Sequence, residues 1–435
     1  MNFVLNALSR LWHRHIDSQR LSHFVIIPIW CLLDRVLTKN NSHWAFFAHP
    51  LKTDQFVENS RAVYEFVKDD PSIRKVVFAR GSVFDSRLLD ESRNVRVFNI
   101  QTLAGLVALA RCGVFLLTNS VALDMSWRWG GGSFSVIRAS LKHRVVVNLW
   151  HGIPLKRLFG LAKPDLRKRA ERIAYRRDER KYYTGLVSSS DVDGYAMAAM
   201  FEPIKYSQVW LTGLPRNDFL RMAYSQLPLF LSEEVDLVRR IKGAHRLIVY
   251  APTFREQGPS GTDYYQFSDK EISDLRSMLK KHGAILGFRM HYFRKGDVLF
   301  NMEKFIDGES IVDLGHSVVR EIAPVIREAS IIISDYSSVY IDALYVDKPV
   351  FSFAYDLDDY QEHQNGLLYD MELAFPGPVL KDFTKLLEAL DTELAMPAQI
   401  QSERYRVTKK LFFNFNDDKN SERVVSRLKS NVGSM

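Results

Sequence analysis

Short, nearly continuous apolar runs alternate with helix-patterned segments along most of this chain. Trp44–Ala48, Val76–Ala79, Val95–Phe98, Val114–Leu117 and Val145–Trp150 read as buried strands, with Asn59–Lys68 and Thr102–Ala110 as helices between them. Gly185–Ser188 and Val209–Leu211 continue the series. Strands apolar on both faces must be covered on both, which is the signature of a parallel sheet with helical crossovers. The turn-rich stretch Thr212–Pro228 breaks the pattern. A second series follows: a helix near Ser232–Ile241, a strand at Leu247–Ala251, a helix over Asp269–His282 and a strand at Ile285–Arg289. The last fifty residues read as helical. At 435 residues the chain exceeds the size at which a single core stops growing. The expectation is α/β, with two Rossmann-like domains facing a cleft. An N-terminal arm over 1–40 precedes a first domain at 41–220 and a second at 221–435.

The segment Ala329–Tyr360, ASIIISDYSSVYIDALYVDKPVFSFAYDLDDY, carries the strongest local signal. An apolar run, Ile331–Ile333, stops at Ser334-Asp335. The hydroxyl pair Ser337-Ser338 then opens a helix, and a second apolar strand follows at Pro349–Phe353. Free backbone N–H groups at the mouth of such a helix favour an anion, so the C-terminal half is expected to handle a phosphorylated ligand. Neither half contains G-x-G-x-x-G after a strand, which argues against dinucleotide binding.

The charge balance points the same way. Lys and Arg outnumber Asp and Glu by 59 to 51, a net +8, which favours an anionic partner such as lipid headgroups, nucleic acid or a phosphate polymer. With 46% hydrophobic and 25% charged residues the chain is too apolar for disorder. Cys31 and Cys112 lack metal-ligand spacing and fit a reducing compartment. No run reaches the roughly 18–20 apolar residues of a membrane span. Leu5, Leu8, Trp12 and Ile16 share one helical face of the arm, which suits either a helix lying on a membrane surface or one packed on the protein's own core. From Asp165 to Lys181 there are eight basic and four acidic residues. That block reads either as a solvated helix laced by acid–base pairs or as a basic face toward anionic lipid. No recognised nucleic-acid module surrounds it, so nucleic acid is not an expected partner.

Several polar clusters follow expected strands, where ligands gather in open α/β sheets. In Trp150-His151-Gly152-Ile153-Pro154-Leu155-Lys156, a histidine titrating near neutrality is a natural general base for a hydroxyl. Gly152 permits close backbone approach, and Lys156 adds a cation. Thr253 and Arg255 lie in Tyr250-Ala251-Pro252-Thr253-Phe254-Arg255, and Arg289 and His291 in Phe288-Arg289-Met290-His291. Arginine offers bidentate hydrogen bonds to phosphate. Arg216 and Asp218, in TGLPRND, fall at the interdomain boundary as cleft-lining candidates. No acidic cluster announces a metal site, which leaves a Mg²⁺ requirement open.

Taken in order, H-G-x-P-L-K, T-G-x-P-R-N-D, Y-A-P-T-F-R, R-M-H, S-D-Y-S-S, K-P-V-F-x-F-A-Y-D and P-G-P resemble the CDP-glycerol glycerophosphotransferase family, the teichoic-acid-type polymerases and primases. The resemblance runs from about Asn148 to Pro378. It implies a glycosyltransferase-B-type fold whose C-terminal domain holds the nucleotide-activated donor. The implied reaction moves glycerol phosphate from CDP-glycerol to a hydroxyl of a growing teichoic-acid-like or capsule polymer, releasing CMP. The acceptor would be a polyol phosphate or lipid-linked glycan at the cytoplasmic face of the cell membrane, with the protein bound peripherally to that anionic surface. By motif match, His151 and His291 become the catalytic or phosphate-contacting histidines. Ser337 and Ser338 become diphosphate ligands, Asp335 shapes their loop, and Arg289 and Arg255 assist. Two departures stand out: Asn365-Gly366 replaces the family's more usual Arg-Gly, and the chain is expected to lack the long N-terminal extension of some larger members, as a short polymerase would. Rival readings are a CDP-ribitol enzyme of the same family, a sugar-transferring glycosyltransferase releasing UDP or GDP, and a non-catalytic polyanion- or membrane-binding protein.

Overall fold

Residues 25, 27–49, 55–80, 94–130, 133–136, 141–162, 177–253, 264–290, 301–363, 366–396 and 401–433 are described by the structure, a computed structural model. Among the described residues the first half has nine strands: β1 (Asn40–Phe47), β2 (Arg74–Ala79), β3 (Val95–Asn99), β4 (Cys112–Leu117), β5 (Ser126–Gly130), β6 (Ser133–Val136), β7 (Val145–Asn148), β8 (Gly185–Ser188) and β9 (Val209–Leu211). All but the β5–β6 hairpin form one parallel sheet in the order β3-β2-β1-β4-β7-β8-β9. The second half builds a parallel sheet in the order β12-β11-β10-β13-β14, from β10 (Arg246–Ala251), β11 (Ala284–Phe288), β12 (Ile311–Asp313), β13 (Ala329–Ser334) and β14 (Val350–Ser352). The expected parallel α/β class is what is found.

In each sheet the chain works outward from the first strand, then returns to its other side. This puts a topological switch point between β1 and β4 and another between β10 and β13. Loops diverge there and leave a crevice at the carboxyl ends of the strands.

Among the described residues the longer helices are α1 (Ile27–Val36), α2 (Glu58–Val67), α3 (Leu103–Arg111), α4 (Asp191–Met200), α5 (Leu229–Lys242), α6 (Asp269–Lys281), α7 (Ile322–Glu328), α8 (Val339–Tyr345), α9 (Phe383–Ala395), α10 (Glu403–Phe412) and α11 (Asn420–Gly433), besides a seven-residue helix at Leu357–His363 and shorter turns. Ser268 and Glu271 close a reciprocal capping box at the start of α6. One apolar cluster runs through both halves, from Trp44, Phe46 and Tyr64 to Leu247, Ile332 and Tyr340. Each large side chain buried there is worth roughly 1.5–3 kcal/mol. The last helix returns to the first sheet: Val424, Val425 and Leu428 join the same cluster, and Lys429 pairs with Asp70 at 2.7 Å. At the crossing Gly213 has φ +78°, and a Cβ there would lie 1.9 Å from Asn420 Oδ1, so only glycine fits.

One local reading needs correction. The run Val145–Trp150 ends as a strand at Asn148, because the carbonyls of Leu149 and Trp150 are taken by the Asn59 side chain instead of a neighbouring strand. Within the basic block only 177–181 is described. Its Glu179 and Arg180 are buried: Glu179 accepts the Tyr183 hydroxyl at 2.6 Å, and the Arg180 guanidinium lies 4.3 Å over Phe159. These two lie in the interior, whereas Arg177, Asp178 and Lys181 are exposed, with Lys181 pairing Asp178 three residues away and Arg177 pairing Glu202, both at 2.6 Å, as the solvated reading expects. Of the N-terminal arm, α1 buries Trp30 fully in a separate apolar cluster with Phe47 and Phe115 of the first sheet, and sends Asp34 into a buried ion pair with Arg144. Leu5, Leu8, Trp12 and Ile16 lie outside the described residues. Among the described residues no helix is long and apolar enough to cross a membrane.

Candidate active site

A cavity of about 220 Å³ opens between the loop that follows β7 in the first half and the switch point of the second half, past the ends of β10 and β13. From the first half it is lined by Trp150, His151, Gly152 and Lys156, and from the second by Thr253, Tyr336, Ser337 and Ser338. Six of the residues expected from sequence therefore share one space: His151, Gly152, Lys156, Thr253, Ser337 and Ser338.

His151 follows β7 by three residues. Just before it, Trp150 sits at φ +55°, a costly conformation for a bulky residue. The turn is held from both sides: Asn148 Oδ1 accepts the Trp150 amide at 2.8 Å, and Asn59 Nδ2 donates to the Leu149 and Trp150 carbonyls at 3.0 and 2.9 Å. The imidazole keeps some exposure to the cavity, yet protein crowds its other sides. Burial pushes its pKa below the ordinary value, the Glu58 carboxylate opposes that shift, and Arg216 adds to it. Nδ1 lies 3.2 Å from the Thr118 carbonyl, beyond the end of β4. A carbonyl only accepts, so Nδ1 carries the proton and Nε2 keeps the basic lone pair.

On the opposite wall Asp335 directly follows β13. Its carboxylate accepts the Thr253 amide at 2.8 and 3.1 Å and the Tyr336 amide at 2.5 Å, tying the end of β10 to the turn that carries the serines. Ser337 Oγ accepts the Val339 amide at 3.4 Å. Ser338 is the N-cap of α8 but makes no side-chain capping bond. A Cβ on Gly152 would lie 3.2 Å from Ser338 Oγ and 3.3 Å from Arg216 Nη2, so the two walls nearly touch there.

Arg216 closes one side. Its Nη2 pairs with Asp342 of α8 at 2.6 Å, and Nη1 lies 4.0 Å from Glu58. Burial lowers its pKa, but Asp342, Glu58 and Glu321 outweigh this and keep it charged. On the other side Lys156 bridges to Leu367, the Arg157 amide donates to the Gly366 carbonyl at 3.1 Å, and Lys156 Nζ lies 5.7 Å over the Tyr360 ring. Backbone pairing thus joins the walls where the sequence departs at Asn365-Gly366.

Two expected residues sit elsewhere. Arg289 is buried, with Nη1 donating to the Leu314 and Val319 carbonyls at 2.7 and 2.9 Å and Nη2 to Arg320 at 3.3 Å. Those bonds make it a strut of the 314–320 loop. Asp218 accepts the amides of Asn420 and Ser421 at 2.8 and 2.7 Å, capping α11 away from the cavity, and burial pushes its carboxyl up to about 6. Arg255 and His291 lie outside the described residues. Sequence reading missed Glu58, Asn59, Thr118 and Asp342, whose parts depend on partners distant in the chain. The only local hint was a polar Glu-Asn-Ser-Arg run opening a helix. Among the described residues no group of three or more His, Cys, Asp or Glu side chains is arranged to hold a metal.

A family model described as CDP-glycerol:poly(glycerophosphate) glycerophosphotransferase matches residues 33–430. The teichoic acid ribitol-phosphate polymerase TarK of Staphylococcus aureus is 28% identical over 287 residues, 65% of this chain and 52% of that protein. The teichoic acid poly(glycerol phosphate) polymerase of Bacillus subtilis is 24% identical over 355 residues, 81% of this chain and 43% of that protein. The chain spans about half the length of these curated relatives. The solved structure of the wall teichoic acid polymerase TagF matches with a TM-score of 0.71 at 18% identity, covering 99% of this chain and 97% of that one. That likeness establishes a shared fold.

Proposed function

The chain belongs to the CDP-glycerol:poly(glycerophosphate) glycerophosphotransferase family, and on that premise we propose that it moves a polyol phosphate from a CDP-linked donor to a hydroxyl of a growing teichoic-acid-like or capsule polymer. The donor is CDP-glycerol in the first reading. The acceptor oxygen attacks the phosphorus bearing the glycerol, that bond forms as the bridging P–O bond breaks, and CMP leaves. The observation that carries this reading is the cavity that brings the His151 imidazole opposite the Ser337–Ser338 turn.

Phosphoryl transfer needs in-line positioning, charge neutralisation and a proton acceptor. His151 Nε2 takes the proton from the attacking hydroxyl. Ser337, Ser338 and the backbone of their turn hold the diphosphate, with Asp335 bracing that turn from behind. Lys156 and Arg216 are the cations at the cavity's sides. Arg255 and His291 remain candidates for further phosphate contacts. In this reading the lobes adopt a glycosyltransferase-B arrangement, with 41–220 on the acceptor side and 221–435 holding the donor. The arm over 1–40 lies toward an anionic membrane surface, at its cytoplasmic face.

CDP-ribitol is the second reading, supported by the ribitol-phosphate polymerase among the relatives. The test offers purified protein CDP-glycerol, CDP-ribitol or a UDP-sugar over a membrane extract and identifies the nucleotide released. CMP from a CDP-polyol is expected, and the more productive arm names the polyol. UDP release alone, or no nucleotide release in any arm, overturns the reading.

A further inference from the structure

Asn59, in the second position of α2, is fully buried beside the cavity. Its one side chain serves three backbone groups. Nδ2 donates to the carbonyls of Leu149 and Trp150 at 3.0 and 2.9 Å, and Oδ1 accepts the Arg216 amide at 2.9 Å. Leu149 and Trp150 immediately precede His151. Arg216 faces Gly152 and pairs with Asp342, which lies one turn into the helix that Ser338 caps. The preceding residue, Glu58, has φ +64° and donates its amide to Glu321 Oε1 at 3.0 Å, at the start of α7 in the other lobe. The first turn of α2 is thus bonded to the His151 loop, to the Arg216 turn and to the second lobe.

Resting on the phosphotransfer reading, we infer that Asn59 is a positioning residue that fixes the separation between His151 and the Arg216–Asp342 pair. It thereby sets the distance from the proton acceptor to the donor-holding turn. The chemistry requires this residue type. Two amide hydrogens must reach two consecutive carbonyls that β7 has released from strand pairing, while the oxygen receives an N–H from another loop. Asp would set an oxygen against both carbonyls, and Ala would leave all three backbone groups unpaired in the interior. A displacement of about 1 Å at reacting groups costs as much as 10²-fold in rate.

The experiment measures CMP release from CDP-glycerol and from CDP-ribitol over a membrane extract, across pH, for wild type, Asn59→Ala, Asn59→Ser and Ser60→Ala. Ser60 is the adjacent buried side chain and has no hydrogen-bond partner for its hydroxyl among the described residues. Rates are expressed per folded molecule, well below each variant's unfolding temperature. Asn59→Ala is expected to lower kcat roughly 10- to 100-fold. KM for the donor should stay within about 3-fold of wild type, and the acid limb should move up toward the ordinary imidazole value as the His151 loop loosens. Asn59→Ser, which keeps one donor, should fall between, and Ser60→Ala should stay within about 2-fold of wild type. Unchanged kcat per folded molecule and an unmoved acid limb in both Asn59 variants would overturn the inference, as would failure of both to fold. A wild-type chain that releases no CMP overturns the phosphotransfer reading and this inference with it. A wild type that turns over while the Asn59 variants match it overturns the inference alone.

Discussion

The loop that carries His151 and the turn that carries Ser337 and Ser338 face each other across one cavity, but different chemistry holds each in place. The first is fixed by neutral side-chain amides, Asn148 and Asn59, around a left-handed Trp150 whose strain is on the order of 1–3 kcal/mol. The second is braced by one carboxylate, Asp335, beneath two serines, of which Ser338 makes no capping bond. In the proposed phosphotransfer the His151 loop supplies a proton acceptor and the serine turn an anion cradle. A proton acceptor must keep one distance and stay neutral, so amides that add no charge beside it suit the task. An anion cradle must leave its donors available to the ligand. A carboxylate placed behind the turn orders the backbone while the hydroxyls face the cavity.

Removing the imidazole is the largest blow to that contrast. His151→Ala should lower CMP release by roughly 10²-fold or more, the scale of lost acid–base catalysis. Because the loop is held through Asn59 and Asn148, thermal unfolding should change little. Near-normal turnover in a folded variant would take His151 out of the mechanism and leave the first lobe without its proposed task.

The second lobe predicts a different kinetic signature. Asp335→Ala unpairs the amides of Thr253 and Tyr336, each worth about 1–3 kcal/mol when left buried without a partner. The loosened turn should raise KM for the CDP-polyol by about 10-fold and alter kcat less, since donor binding is lost more than chemistry. Titrating CMP release against donor concentration checks this. A loss confined to kcat, with KM unchanged, would mean that both lobes position the chemical step and would erase the contrast.

Most of the scaffold was legible because its strands are apolar on both faces: Val145–Asn148 and Ile331–Ile333 mark themselves. The β5–β6 hairpin, with its Ser-Trp-Arg-Trp-Gly opening, has no such run, and β12 is only three residues long. His151, Ser337 and Ser338 were legible for a related reason, since polar residues directly after a buried strand fall at the crevice. What escaped was every role decided by a distant partner. Asn59 looks like an ordinary helix residue until Leu149 and Arg216 arrive beside it. Arg289 resembles a phosphate ligand in sequence, and the carbonyls of Leu314, Val319 and Arg320 that enclose it come from later in the chain. Asp218, two residues from Arg216, caps a helix that begins some two hundred residues later.

The smallest expected effect sharpens the comparison most finely, because it turns on the protonation of the first lobe's imidazole. An unperturbed imidazole has a pKa of about 6.5. Burial lowers that of His151, so the base is more than half neutral at pH 6.5, and CMP release there should be within about 2-fold of its value at pH 7.5. The stability linkage has the matching sign: below about pH 6.5 the unfolded chain binds the proton that the folded imidazole resists. This contribution is therefore lost as pH falls from there to the lowered folded value. Glu58 is the carboxylate that opposes the shift. Glu58→Gln should move the acid limb further down while leaving the Glu58 amide bonded to Glu321, so the effect reports charge and not geometry. An upward movement in that variant would mean that Glu58 acts on His151 by holding the loop, and the first lobe would then share with the second its reliance on a carboxylate brace.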